Sequence, residues 1–305
     1  MRIGFAAPTC GSWATPAAIT EICSRADELG FASLWTFQRL LFPQGTGLSE
    51  TYHSVLDPMV SLGFLAACTS RARLGVAVVN LPFIAPIVLA KQAAAVDVLS
   101  DGRLTLGLGL GWAPEEFIAT GATTERRGAR AVEYLRCLEE IFSGEVDFAG
   151  EFYEVPRSEV LPRPVQRPRP PVLMGGWVPA SLKRAGRIAD GWISYSAADL
   201  TRIDESVALV RQGADEAGKD PAALEIVVRG LVQLTAEQGA DRRLLTGSVH
   251  QILEDIHRLD GDGVTEVFLD LNFDPEVGSP SADVAASIER AHEVLEAFAP
   301  DSATT

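Results

Sequence analysis

The chain is sparing with cysteine and almost without lysine, and each shortage excludes something. Its four cysteines, Cys10, Cys23, Cys68 and Cys137, are scattered, with no C-x-x-C pair. That removes the usual zinc spacing and a disulfide framework, so no metal site is expected and the thiols read as those of a reducing cytoplasm. Lys91, Lys183 and Lys219 are the only lysines, and acidic residues leave a net charge of −15. A chain so acidic is a poor partner for nucleic acid or an anionic membrane. Also missing are an internal repeat, a low-complexity tract and any apolar run near the roughly 18 residues that span a bilayer. Met1-Arg-Ile-Gly-Phe-Ala6 enters a strand-like segment at once, without the pattern of a cleavable leader. A cytoplasmic protein handling a small molecule is the expectation.

What is present is a long alternation. The 305 residues are 47% hydrophobic, enough for one barrel-sized domain. Strand-like runs at 2–7, 32–36, 73–79, 104–109, 172–175, 191–194, 224–232 and 266–271 are separated by helical stretches. That pattern belongs to the α/β class, and eight such strands suit a single closed (β/α)8 TIM barrel. The barrel is placed at 1–299, with a frayed tail at 300–305. Two long segments interrupt it, 37–56 after the second strand and the proline-rich 144–171 between the fourth and fifth. Insertions on the βα side of a barrel commonly wall an active site. Asp57-Pro58 and Thr246-Gly-Ser248 read as helix starts.

The most informative stretch is Leu104-Thr-Leu-Gly-Leu-Gly-Leu-Gly-Trp112. With strand periodicity it puts leucines on one face and Thr105, Gly107, Gly109 and Gly111 on the other. Interior glycine weakens a strand, so a bare face is expected where something flat approaches the backbone, or where a bulky neighbour fills the space. The G-x-G-x-G spacing lacks the turn of a dinucleotide fingerprint.

Leu89 to Arg103, running into this glycine strand, resembles the central signature of the bacterial luciferase-like flavin and deazaflavin oxidoreductases. Arg126-Arg-Gly-Ala-Arg130, Gly150-Glu-Phe-Tyr153, Leu161-Pro-Arg-Pro-Val-Gln166, Pro170-Pro-Val-Leu-Met-Gly-Gly176 and Ala189-Asp-Gly-Trp192 extend the likeness over nearly the whole chain, in order. Its flavour is nearest the coenzyme F420 (deazaflavin) branch. The resemblance implies a cofactor in the barrel mouth, its ring over the glycine face and a strand bulge behind it. The bulge falls at Val78-Val79-Asn80-Leu81, with a non-prolyl cis bond at Val78-Val79. Ala7, Phe37, Val78, Val79, Asn80, Gly107, Gly109, Gly111, Gly175, Gly176 and Trp177 are the implied cofactor-binding set. Gly175-Gly176, ahead of a helix, suits a phosphate. Arg126 to Arg130 is the candidate groove for the acidic tail of a deazaflavin.

The pattern also departs from the family. Where many deazaflavin members carry an acidic residue and a histidine after the second strand, this chain has Gln38 and Arg39. Glutamine moves no proton usefully and arginine keeps its own near neutral pH, so a general acid must come from elsewhere. Arg39 becomes a candidate for holding an anionic substrate or the deazaflavin. His53 and Glu115 are candidate proton donors, with Glu116 beside the latter. Trp35, Phe37, Trp112, Trp177 and Trp192 are candidates for an apolar substrate pocket or for core. The other histidines, His250, His257 and His292, read as surface or packing residues.

Three functions follow. The first is an F420-dependent oxidoreductase moving a hydride to or from an organic substrate. The second is an FMN-dependent two-component monooxygenase using molecular oxygen, which requires a flavin reductase partner. The third is a non-catalytic cofactor-binding barrel. The resemblance also implies a homodimer.

Overall fold

The computed structural model describes residues 1–300, and in it eight parallel strands close into a barrel. They are β1 (Arg2–Ala6), β2 (Ser33–Thr36), β3 (Arg73–Asn80), β4 (Leu104–Gly109), β5 (Val172–Gly175), β6 (Gly191–Ile193), β7 (Glu225–Leu231) and β8 (Glu266–Asp270). Neighbours follow sequence order, and β8 pairs back to β1 from Arg2 opposite Glu266 to Phe5 opposite Leu269. Helices fill the crossovers, among them α1 (Pro16–Glu28), α2 (Pro58–Cys68), α3 (Pro86–Leu99), α4 (Pro114–Thr120), α5 (Arg127–Ser143) and α6 (Pro179–Ile188). All but α5 begin on proline, whose missing N–H is no loss in a first turn. Asp57 starts α2 as expected, its carboxylate accepting Val60 N–H at 2.9 Å. The expected tail lies outside the described residues except for Pro300.

Two apolar layers form. The outward strand faces, Leu104, Leu106 and Leu108 included, pack under the helices. Inside the barrel Ala6, Trp35, Leu173, Ile193, Val227 and Phe268 make a plug. Trp35 stacks on Phe268 at 5.2 Å, and its indole N–H donates to Ser33 Oγ and Glu266 Oε1. It therefore belongs to the core and not to a pocket.

The lower rim, at the strands' N-terminal ends, is a polar network. Asp27 at the end of α1 accepts the backbone N–H groups of Ser70, Arg71 and Ala72. Arg103 donates to the carbonyls of Thr69, Ala72 and Ser100. Asp97 receives both the backbone and the side-chain amide of Gln166, which also donates to Leu104 O.

The proline-rich insertion corrects an expectation. It follows α5, on the αβ side of the barrel, and so does not wall the mouth directly. An antiparallel hairpin, Glu145–Ala149 with Glu154–Glu159, runs back along α5. Glu133 of α5 accepts the N–H groups of Glu151, Phe152 and Tyr153 at its turn. The segment after β2 behaves as expected and supplies a wall at the mouth.

Candidate active site

At the strands' C-terminal ends opens a cleft. Its back wall explains the glycine strand. The β3–β4 register shifts between Val76 and Val79, leaving Ala77 and Val78 bulged inward. A Cβ on Gly107 would stand 2.0 Å from Val76 O, and one on Gly109 would stand 2.5 Å from Val78 Cγ2. The bare face of β4 thus receives the bulge of β3, and Val78, not glycine, forms the shelf that fronts the cleft. The cis peptide bond lies at Ala77–Val78, one residue earlier than expected, because Val79 has already rejoined the ladder opposite Leu108. Val79 turns outward into the leucine layer.

Three strand ends are tied across the mouth. Gln38 Oε1 accepts Asn80 N–H at 2.9 Å and its side-chain amide at 3.2 Å. Asn80 Oδ1 in turn accepts Gly111 N–H at 2.9 Å. Gln38 is engaged in this brace, which suits a positioning group.

Beside it, Arg39 and Glu116 are both buried, with Nε 3.5 Å from Oε1. Arg39 Nε donates to Leu41 O, and Glu116 Oε1 accepts Leu40 N–H. The guanidinium packs against Tyr52 at 5.2 Å and Trp112 at 4.7 Å. Arg229, on the inward side of β7, pairs with the fully buried Asp270 at 2.5 Å and lies over Phe37 and Phe273, 4.6 Å from each.

The opposite wall is cationic. The first turns of α5 and α6 meet there, and the N-termini of two helices concentrate partial positive charge. Arg127 opens α5 and donates to Gly111 O at 3.0 Å. Arg184 of α6 lies against Gly128, with its Nε buried and without an acceptor among the described residues. Burial lowers the Arg184 pKa from its ordinary value, and repulsion from Arg187 and Arg127 lowers it further. Gly176 permits Ser181 to close in, since a Cβ there would sit 2.5 Å from Ser181 Oγ. That hydroxyl accepts Val178 N–H at 3.1 Å and fixes the start of α6.

Of the fifteen catalytic and cofactor-binding candidates named from sequence, Phe37, Gln38, Arg39, Val78, Asn80, Gly109, Gly111, Gly175, Gly176 and Trp177 line the cleft. Five do not. Ala7 is sealed in the core, and Val79 and Gly107 are turned or covered as described. His53 is exposed and packs on Phe42 at 5.1 Å, because the turn Glu50–Tyr52 presents Tyr52 inward instead. Glu115 points away from the cleft, and Glu116, one residue further round α4, faces it. Trp192 is core, its indole donating to Gly176 O at 2.9 Å. Arg184 and Arg229 were missed. A lone arginine inside the apolar run Ile226–Leu231 was a legible signal for the latter.

The whole arrangement matches one family model. Residues 1–293 match the luciferase-like monooxygenase family, and the chain belongs to it. An uncharacterized protein of Mycobacterium tuberculosis is 30% identical over 245 residues, covering 80% of this chain and 76% of that protein. The F420-dependent glucose-6-phosphate dehydrogenase of Amycolatopsis mediterranei is 30% identical over 210 residues, 67% of this chain and 61% of the relative. The oxygenase component of the flavin-dependent trigonelline monooxygenase of Acinetobacter baylyi is 31% identical over 162 residues, 52% of this chain and 42% of the relative. Among solved structures, monooxygenase RslO1 from Streptomyces bottropensis superposes with a TM-score of 0.80 at 24% identity, covering 99% of this chain and 100% of the other. An F420-dependent secondary alcohol dehydrogenase gives 0.77 at 18%, covering 97% and 98%. At those identities the structures speak for the fold alone. The family makes the chain a luciferase-like oxidoreductase. Among the described residues no helix is long and apolar enough to cross a membrane.

Proposed function

We propose that the protein uses coenzyme F420 to transfer a hydride to or from a small organic substrate. The cationic wall fits a phosphate: Arg127, Arg184 with its unpartnered Nε, and the first turn of α6. The observation that favours a deazaflavin over FMN is a second groove, which shares Leu110 and Arg127 with the cleft. It continues past Arg130 and Tyr153, so an acidic chain leaving the phosphate would run between Arg127 and Arg130. FMN ends at its phosphate and has no use for that groove. Arg126 is excluded from the expected basic set because it pairs with Glu151.

When bound, the cofactor supplies the hydride donor or acceptor. The chain's own residues do the positioning. Val78 offers an apolar shelf to a flat ring, and the Gln38–Asn80–Gly111 brace holds the strand ends that frame it. Phe37, Tyr52 and Trp112 exclude water from the reacting face, which hydride transfer needs more than a strong acid. Arg39 with Glu116 stands on the substrate side, replacing the expected Glu115 and His53.

We further propose a homodimer through the adjacent helices α2 and α3. Val60 and Phe64 on α2 and Val88 and Leu99 on α3 are exposed, Val60 at 73% and Leu99 at 68%. A surface this apolar calls for a cover.

The second reading is an FMN-dependent monooxygenase, favoured by the likeness to the trigonelline enzyme, and only that reading requires a flavin reductase. Titrating the purified protein with oxidised F420 and with FMN, followed by tryptophan fluorescence, separates the two. Tight F420 binding with weak FMN binding is expected. Preference for FMN would move the assignment to the monooxygenase, and binding of neither would leave a barrel without its cofactor.

A further inference from the structure

We propose that Arg39 is the substrate-recognition group of this cleft, and that the substrate it selects carries a carboxylate. The inference rests on the oxidoreductase reading above for the word substrate, but its geometry stands apart from the cofactor.

A guanidinium has two faces and three nitrogens, and the surroundings of Arg39 can be accounted for one by one. Tyr52 and Trp112 pack against the guanidinium on adjacent sides, their ring centroids 5.2 Å and 4.7 Å from Cζ and 6.3 Å from each other. Nε is engaged by Leu41 O, with Glu116 behind it. What remains is the edge made by Nη1 and Nη2. The side chain is only 3% exposed, it lines the cleft, and Nη2 is buried without any acceptor among the described residues.

A buried, charged donor without a partner is costly, and native proteins keep few of them outside ligand sites. Nη1 and Nη2 are the parallel N–H groups of a fork that a carboxylate fills with two charge-assisted hydrogen bonds once it displaces the groups covering Nη2. The aromatic faces hold the fork in place before the ligand arrives, which reduces the ordering needed on binding. Glu116 does not compete for that edge, because its Oε1 lies on the Nε side and accepts Leu40 N–H at 2.8 Å. Nor is the phosphate wall the same site. Arg127 and Arg184 project from α5 and α6, whereas Arg39 follows β2, three strands round the barrel from the β5 that leads into α6. The remaining cleft cation, Arg229, already has its carboxylate in Asp270.

The test compares acids with their amides at constant ionic strength near pH 7: acetate, benzoate and octanoate against acetamide, benzamide and octanamide. Binding is read by tryptophan fluorescence, since Trp112 lies against the guanidinium, with and without saturating cofactor. At least one acid is expected to bind about tenfold or more tightly than its amide. Arg39→Lys keeps a charge beside Glu116 while removing the fork, and should weaken that preference severalfold. Arg39→Met combined with Glu116→Gln leaves no buried charge unpaired and should erase it. Acids and amides behaving alike in the native protein, including no binding by any of them, overturns the proposal. So does a preference that survives in the double variant, because the acids would then be on Arg127 and Arg184. F420 and FMN titrations of the same proteins keep the two readings distinct. Native protein that binds neither cofactor but still prefers acids defeats the oxidoreductase reading alone. Cofactor affinity lost in Arg39→Lys, with no acid preference in the native protein, assigns the fork to the cofactor and overturns the proposal.

Discussion

The two rims of this barrel use the same residue types to opposite ends. At the lower rim Asp27, Asp97 and Arg103 each meet several complementary groups, most of them backbone amides or carbonyls of the next turn. At the upper rim Arg39 is buried and Arg184 half-buried, yet each keeps a buried nitrogen without an acceptor among the described residues. Polar groups that are fully satisfied lock loops to strands. Cations left unpartnered among aromatic rings and helix N-termini are where the proposed ligands would bind. The difference teaches that burial of charge does not by itself separate stability from function in this fold. An unpartnered buried nitrogen on a charged side chain that also lines the cleft is the feature that sets Arg39 and Arg184 apart.

That contrast can be broken by mutation, and the largest effect is expected below. Asp27→Ala strips the acceptor from three backbone N–H groups and should cost about 3 kcal/mol in denaturant unfolding, with cofactor affinity unchanged. Its pH dependence sharpens the point. Burial pushes the Asp27 carboxyl up, but the N–H groups of Ala72, Ser70 and Arg71 outweigh it and hold it below the usual range. A carboxyl depressed on folding contributes stability above its unfolded pKa, near 3.9, and loses it as pH falls through the folded value. The gap between native protein and Asp27→Ala should therefore be full at pH 6 and narrow on acidification below about pH 4.

Next comes Gly107→Ala, where the added Cβ would meet the Val76 carbonyl and displace the β3 bulge. A loss of about 2 kcal/mol is expected, with weaker cofactor binding because the Val78 shelf moves. Arg184→Ala should do the reverse of Asp27→Ala. Cofactor affinity should fall about tenfold, while the melting temperature stays or rises as repulsion from Arg127 and Arg187 is relieved. The smallest effect is expected at Gly175, where a Cβ would make only ordinary contact with Val78 at 3.5 Å. Gly175→Ala should fold normally and lose about two- to threefold in cofactor affinity by standing in the cleft.

The fold was legible from the alternation of strands and helices and from the glycine strand, since both are short-range patterns. Which partner used the glycine face was not. Gly107 and Gly109 make room for Val76 and Val78 of a neighbouring strand, and no spacing within β4 distinguishes that from a flat ligand. Half-turn choices were equally hidden. Glu115 and Glu116 share the first turn of α4, and only the seating of that helix on Arg39 selects the second. His53 failed for a similar reason, one turn exposing it and facing Tyr52 inward. Arg127 and Arg184 are 57 residues apart in sequence and meet only because the N-termini of α5 and α6 converge. Contacts of that kind come from tertiary packing, not from local pattern.

If the unpartnered cations of the cleft, Arg39 and Arg184, serve a ligand, affinity and stability should separate between the two rims. The direct test is calorimetric titration of F420 into Asp27→Ala and Arg184→Ala, each paired with its thermal unfolding curve. The account predicts a stability loss without an affinity loss for Asp27→Ala, and an affinity loss without a stability loss for Arg184→Ala. Both variants losing stability together, with cofactor affinity unmoved in either, would contradict it.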